Sequence, residues 1–219
     1  EALQLLLWES LDRDLPAFCL GGGKNTLFAT SFFEGIVFQL GRGFNGVEHV
    51  EPNVIRAGAG VSLPKLLSFA KRRGLMGLEF LTMVPGNVGG SLAGNAGAGN
   101  WGLCDFVERV WLMTRDGFVA CVKRNEFRYG YRHSELRETI VLAADFRLEP
   151  LDVRESERRI AEFKSKKVNQ PYNQPSCGCI FKNPKGLQDG KPISAGKLID
   201  EAGLKGYSVR SAQISEKHA

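Results

Sequence analysis

The stretch Leu20 to Phe28, LGGGKNTLF, puts three glycines ahead of a lysine, an arrangement suited to gripping a phosphate. A nucleotide-hydrolase loop needs a glycine six residues before its lysine and a Ser or Thr directly after it, because that hydroxyl ligates magnesium. Phe18 and Asn25 stand at those two places, so the loop is not of that type. Bare glycines still let backbone N–H groups approach an anion closely, and a plain strand-to-helix turn is the competing reading. A second glycine-rich stretch, VPGNVGGSLAGNAGAGNWG from Val84 to Gly102, has too few side chains to build a core of its own. It must be packed under other elements or wrap a ligand whose surface replaces the missing side chains. A flexible linker is the alternative, at odds with the flanking anchors Leu78, Phe80 and Leu81. Two backbone-exposing segments suit a long, diphosphate-bearing cofactor better than a single phosphate. Cys177-Gly-Cys179 is a third candidate, but no nearby Cys/His set completes four ligands, so no metal site is expected.

The elements that would position these groups mix strands and helices without a strict βαβ cadence, which makes the class α+β. PAFCLGGG, GIVFQL and NVIRAGAGV read as short strands between tight turns. Ser62 is placed to cap a helix with Pro64 in its first turn; Leu63, Leu66, Leu67 and Ala70 form its inner face and Gly74 its stop. VERVWLMT and FVACVKR flank Arg115-Asp116-Gly117 as a hairpin. TIVLAADFRL alternates, with Ile140, Leu142, Ala144, Phe146 and Leu148 on one side. After Pro150 the texture changes to a charged helix, LDVRESERRIAEFKSKKV, that keeps Val153, Ile160 and Phe163 toward the protein, and a domain boundary is placed there. A last helix follows Ser194, with Ala195, Leu198, Ile199 and Ala202 inward and Gly203 at its end.

With 219 residues, 43% of them hydrophobic, the chain can bury a sizeable core. No apolar run reaches the ~18 residues of a membrane span, and EALQLLLWES lacks a basic signal-peptide start, so a cytoplasmic protein is expected. Five cysteines without a regular framework read as free thiols. The net charge of +5 is spread over mixed-sign segments such as RNEFRYGYRHSELRE, which speaks for small anionic ligands and against nucleic acid.

Four blocks in order carry a resemblance: GAGVSLPKLLSFAKRRGLMGLEFLTMVPGNVGGSLAGNAGAG, FRYGYRHSEL, NQPSCGCIFKNP and AGKLIDEAGLKGYSVRSAQISEKHA. From about Leu20 to the last residue the chain resembles the UDP-N-acetylenolpyruvoylglucosamine reductases, also called UDP-N-acetylmuramate dehydrogenases, and looks like their shorter class, without an extra substrate-covering insertion. The resemblance implies a cytoplasmic, FAD-dependent, monomeric enzyme. It would use NADPH to reduce the enolpyruvyl ether of a UDP-sugar in peptidoglycan synthesis. It implies an FAD-binding domain of the vanillyl-alcohol-oxidase type over residues 1–150, built of two small α+β subdomains. An α+β substrate-binding domain over residues 151–219 would follow. An N-terminal strand and a C-terminal segment bearing a glutamate would lie beyond the two ends.

By the same resemblance, Gly21, Gly22, Gly23, Lys24 and Asn25 would lie against FAD, with Lys24 standing where relatives more often carry Ser. Pro85, Gly86, Asn87, Val88, Gly89, Gly90 and Ser91 would take its pyrophosphate, and Asn95, Gly97, Ala98 and Gly99 would continue along it. Arg132 matches the arginine that holds the substrate carboxylate, which suits a planar guanidinium fork. A surface salt bridge is its ordinary alternative. Tyr131 has a weaker claim beside it, and His133 reads as an ordinary polar residue. Cys179 stands where the family commonly has a proton-donating serine; a thiol gives up its proton more readily than an alcohol. Lys182, Asn183, Gln213 and His218 match positions near the UDP-sugar.

Overall fold

The computed structural model describes residues 1–168, 170, 175, 176, 178–188 and 191–219, which fall into two compact units, Glu1–Lys164 and Ser165–Ala219. The first begins with helix α1 (Ala2–Asp12), followed by the short parallel pair β1 (Ala17–Cys19) and β2 (Ile36–Phe38). The first glycine loop leaves the end of β1, where the Leu20 N–H still bonds the Phe38 carbonyl at 2.8 Å. Strands β3 (Val47–Glu51) and β4 (Val54–Gly58) form a hairpin whose turn residue Asn53 has φ +63°. Helix α2 (Leu63–Arg72) then starts as expected: Ser62 Oγ accepts the Lys65 N–H, Leu63, Leu66 and Ala70 are buried, and Gly74 at φ +70° follows the stop.

Strand β5 (Leu75–Met76) leads to the second glycine segment, which holds helix α3 (Val88–Ala93) and the tight hairpin β6 (Gly97–Ala98) and β7 (Trp101–Gly102). Next come β8 (Val107–Met113), β9 (Val119–Lys123), the small hairpin β10 (Tyr129–Gly130) and β11 (His133–Ser134), β12 (Ile140–Arg147), β13 (Glu149–Pro150) and helix α4 (Val153–Ser165). The principal sheet is antiparallel, in the order β3-β4-β12-β8-β9, while β13 pairs with β5. At the β8–β9 turn Gly117 alone of the Asp-Gly pair has positive φ, +87°. Leu63, Leu66, Phe80, Leu92, Leu103 and Phe146 lie in one continuous core cluster.

Two sequence expectations need correction here. The alternation in β12 holds for Ala144, Phe146 and Leu148, but Val141 and Asp145 are buried as well and Leu142 only partly so. A bulge between Val141 and Ala143 shifts the register there, and β12 is the central strand. Asp145 is buried on the other face under Arg56 (2.8 Å) and Arg109 (3.1 Å), with Arg56 stacked 4.1 Å over the Trp111 ring. In α4, Phe163 is buried but Val153 is 52% exposed; the buried first-half residue is Ser156, whose hydroxyl donates to the buried Glu79 at 2.8 Å. That bond and Phe163 attach α4 to the first unit.

The second unit is built of hairpin β14 (Leu187–Gln188) and β15 (Lys191–Pro192), helix α5 (Ala195–Glu201) and hairpin β16 (Ser208–Val209) and β17 (Ala212–Gln213). Ser194 Oγ accepts the Lys197 N–H as the expected cap, and Gly203 has φ +69°. No residue of α5 is fully buried: of the expected inner face Ala195 and Ile199 are half-buried, while Leu198 and Ala202 are exposed.

Candidate functional site

Both glycine segments belong to the first unit, and they meet. A Cβ built on Gly22 would stand 2.5 Å from Asn87 Oδ1, so the middle of the first loop lies directly on the start of the second. Asn87 is itself fixed, its Nδ2 donating to the Gly60 carbonyl at 2.5 Å while its backbone bridges to Ser62. Gln39, at the end of β2, donates to the Gly21 carbonyl at 2.7 Å and holds the first loop from the other side. A Cβ added to Gly21 or Gly23 would meet no atom within 4 Å, Gly23 has φ +66°, and both residues are exposed. Lys24 and Asn25 are exposed beside them.

In the second segment the glycines divide by what faces them. Gly89 packs on the loop after β4, where a Cβ would come 2.9 Å from Ala59 Cβ and 3.3 Å from the Ala59 carbonyl. Gly97 crosses Trp101 so closely that a Cβ would strike its carbonyl oxygen, and Gly86 and Gly99 have φ +126° and +63°. Gly90, by contrast, is exposed with nothing within 4 Å. Val88 is fully buried and serves as the core anchor of α3, so only its main chain can face a ligand. Ser91 is also buried, Pro85 is exposed and Ala98 is half-buried. Main chain left bare on one side and supported on the other is the arrangement a dinucleotide needs, and these residues fit FAD.

The Asn95 side chain is engaged within the protein. The residue is 7% exposed at φ +43°, its Oδ1 accepts the Cys104 N–H at 3.0 Å, and its Nδ2 donates to the Gly130 carbonyl at 2.8 Å. Both ends of the amide are therefore committed to protein partners. Gly130 opens the β10–β11 hairpin, whose two-residue tip is Tyr131-Arg132. Arg132 sits at φ +53°, at the second tip position, where a tight turn favours Gly or Asn. Its guanidinium stacks 5.4 Å from the Tyr131 ring, and among the described residues it makes no ion pair with a carboxylate. At the hairpin foot the Arg128 guanidinium pairs with Glu135 at 2.6 Å; that ion pair, with the Arg128 N–H, holds the Glu135 carboxyl below the ordinary glutamate range, the N–H being the larger influence.

In the second unit, Cys179 is exposed and follows Gly178 at φ +72°; Cys177 lies outside the described residues. Lys182 is exposed. Asn183 Oδ1 accepts the Ala195 N–H at 3.1 Å, which ties the Cys179 stretch to the first turn of α5. Gln213 donates to the Gly206 carbonyl at 3.0 Å across its hairpin, and His218 is half-buried. Gln39 and the Gly58–Ser62 turn escaped the sequence reading as supports of the glycine loops. The only signal for Gln39 was a polar residue closing an apolar strand, and the partners it serves are remote in sequence.

Comparison with known proteins agrees with this division. Residues 1–121 match the family described as FAD binding domain, and residues 170–219 match the UDP-N-acetylenolpyruvoylglucosamine reductase C-terminal domain. A UDP-N-acetylenolpyruvoylglucosamine reductase of Geotalea uraniireducens is 41% identical over 218 residues, covering 99% of this chain and 70% of that protein. One from Chlamydia abortus is 40% identical, covering 93% of this chain and 67% of its own length. The crystal structure of the reductase from Thermus caldophilus superposes with a TM-score of 0.80 at 36% identity, over 96% of this chain and 76% of that one. A VAO-type flavoprotein from Myceliophthora thermophila, 16% identical, shares the fold with a TM-score of 0.53 over 68% of this chain and 30% of its own. The chain carries an FAD-binding domain of this flavoprotein fold and belongs to the UDP-N-acetylenolpyruvoylglucosamine reductase family.

Proposed function

We propose that this protein reduces the enolpyruvyl ether of UDP-N-acetylglucosamine enolpyruvate to the lactyl ether of UDP-N-acetylmuramate, a step of peptidoglycan synthesis, with NADPH as the hydride source. The observation that carries the reading is the contact of Gly22 with Asn87, two loops of bare main chain joined in the unit that matches an FAD-binding domain. FAD, when bound, supplies the hydride to the enolpyruvyl carbon. Gly21, Gly22, Gly23 and Asn25 offer main-chain and amide contacts to one part of the cofactor, and the Gly86–Ser91 segment offers N–H groups to its pyrophosphate.

Hydride addition leaves negative charge on the adjacent carbon and its carboxylate, so the reaction needs a fixed cation and a proton donor. Arg132, with no carboxylate of its own among the described residues, holds the substrate carboxylate through its guanidinium fork, and Tyr131 supports that fork from one face. The Cys179 thiol donates the proton to the adjacent carbon. Lys182, Gln213 and His218 contact the UDP-sugar, and Asn183 contributes by holding the start of α5. The expected setting is the cytoplasm, with the protein acting as a monomer.

The purified full-length protein is expected to be yellow, to bleach anaerobically on addition of NADPH, and to regain colour with the enolpyruvyl UDP-sugar. Cys179→Ser should retain substantial turnover and Cys179→Ala should lose most of it. A colourless protein that takes up no FAD would overturn the reading, and equal activity in all three proteins would remove Cys179 from the reaction.

A further inference from the structure

Asn95 at φ +43° and Arg132 at φ +53° are two of the five non-glycine residues of the first unit with positive φ, a backbone that asparagine tolerates and arginine rarely adopts. Such conformations persist where the surroundings over-determine them. Here one hydrogen bond links them, from Asn95 Nδ2 to the carbonyl of Gly130, two residues before Arg132. The amide orientation is forced by its partners, because Oδ1 must face the Cys104 N–H and Nδ2 must face a carbonyl. On the opposite strand of the hairpin the Ser134 side chain is fully buried, its hydroxyl accepting the Leu136 N–H at 3.2 Å. The hairpin is thus clamped through Asn95 to the segment that carries the cofactor loops.

We propose that Asn95 is a positioning residue: its buried amide clamps the β10–β11 hairpin to the glycine-rich segment and so sets where the Arg132 guanidinium stands for the substrate carboxylate. The inference rests on the reading of Arg132 given above. The side-chain amide is committed to two protein partners, the Cys104 N–H and the Gly130 carbonyl. A flexible, exposed arginine at a hairpin tip would otherwise spread its charge over many rotamers and lose the advantage of a preorganised cation. Asn95 does not touch substrate; it acts through the main chain of Gly130.

Two substitutions separate the roles of its atoms. Asn95→Asp keeps the acceptor for the Cys104 N–H but sets a carboxylate oxygen against the Gly130 carbonyl. Asn95→Gly keeps the positive φ without steric cost and removes both bonds. In the full-length protein without cofactor, amide exchange at Tyr131–Ser134 should quicken severalfold in both variants while β4 and β12 stay protected. In the FAD-loaded protein, affinity for the enolpyruvyl UDP-sugar should fall about tenfold, the effect of one interior hydrogen bond. Affinity for UDP-N-acetylglucosamine, which lacks the carboxylate, should hold. The Asn95→Asp, Arg132→Ala double variant should be no worse than Arg132→Ala alone. Unchanged exchange at the hairpin, equal loss for both sugars, or full additivity in the double variant would each overturn the clamp. If the wild type binds neither FAD nor sugar, the proposed function fails, and the exchange measurement still decides whether Asn95 holds the hairpin.

Discussion

Replacing Gly90 by Ala separates stability from cofactor binding, because the structure leaves that position open. Gly90 lies inside α3, is exposed, and a Cβ there would meet no atom within 4 Å. Alanine is a better helix former than glycine by about 0.8–1 kcal/mol, so the cofactor-free protein should gain up to about 1 kcal/mol. In a chain of this size that is roughly 2–4 °C in Tm. The open side of Gly90 is where the diphosphate is expected to lie. A methyl there would keep a phosphate oxygen from closing to hydrogen-bond distance, and losing one charge-assisted bond of about 1.5–3 kcal/mol weakens binding roughly tenfold to a hundredfold. Thermal unfolding of the cofactor-free protein and titration of flavin fluorescence measure the two effects independently. Gly89→Ala is the control: its Cβ would press on Ala59 at 2.9 Å, so it should lower Tm before any ligand is added. A Gly90→Ala protein that is more stable and binds FAD as tightly as wild type would show that the diphosphate does not rest on α3.

Ser156→Ala should destabilise the first unit by about 2 kcal/mol, a loss of several degrees in thermal melts, because it strips the buried Glu79 carboxylate of one of its two hydrogen bonds, the other being the Gly77 N–H; a Tm unchanged within a degree would refute this. Burial pushes the Cys104 thiol from an ordinary 9.0 up to about 12, partly countered by the Ser134 hydroxyl, so a thiol reagent at pH 8 should modify exposed Cys121 and leave Cys104 untouched until the protein unfolds. The unfolded chain releases that proton first, so the contribution of Cys104 to stability is constant below pH 9 and lost as pH climbs toward 12, which alkaline melts of wild type and Cys104→Ala would reveal as converging curves. In α4, hydrogen bonds from Arg158 and then Arg159 hold the Glu155 carboxyl at about 2; its brace is intact above the ordinary glutamate range and lost only as pH falls toward 2, and Arg158→Gln should move the NMR titration of that carboxyl upward.

Features set by neighbours in sequence were legible before the structure. The Ser62 cap with its Leu63, Leu66 and Ala70 face, the Gly117 hairpin and the Ser194 cap depend on spacings of a few residues, and each stands as read. Features set by remote partners were not. Val153 looked apolar and inward, yet the side of α4 that meets the protein is chosen by Glu79, a buried carboxylate that needs the Ser156 hydroxyl. The β12 alternation broke because a bulge and two remote arginines let Asp145 be buried on the face that periodicity assigned to solvent. The inner face expected for α5 rested on apolar spacing alone, and its residues are half-buried at Ala195 and Ile199 and exposed at Leu198 and Ala202.

Family resemblance treats the Pro85–Gly99 stretch as one cofactor surface, but its residues answer to different constraints. A methyl on Gly89 would press on Ala59 and one on Gly97 on the Trp101 main chain, so the fold favours glycine at both with or without a ligand. Val88 and Asn95 are held by the core and by the hairpin. Gly90 has room and an unfavourable helix propensity, with no intramolecular reason to remain glycine. Arg132 is the converse case: a turn position that glycine would occupy at less strain carries a large cation with no carboxylate to pair with among the described residues. A residue that the fold alone would exchange, in either direction, is best explained by something outside the fold, and Gly90 and Arg132 are two such positions, which a diphosphate and a carboxylate would account for.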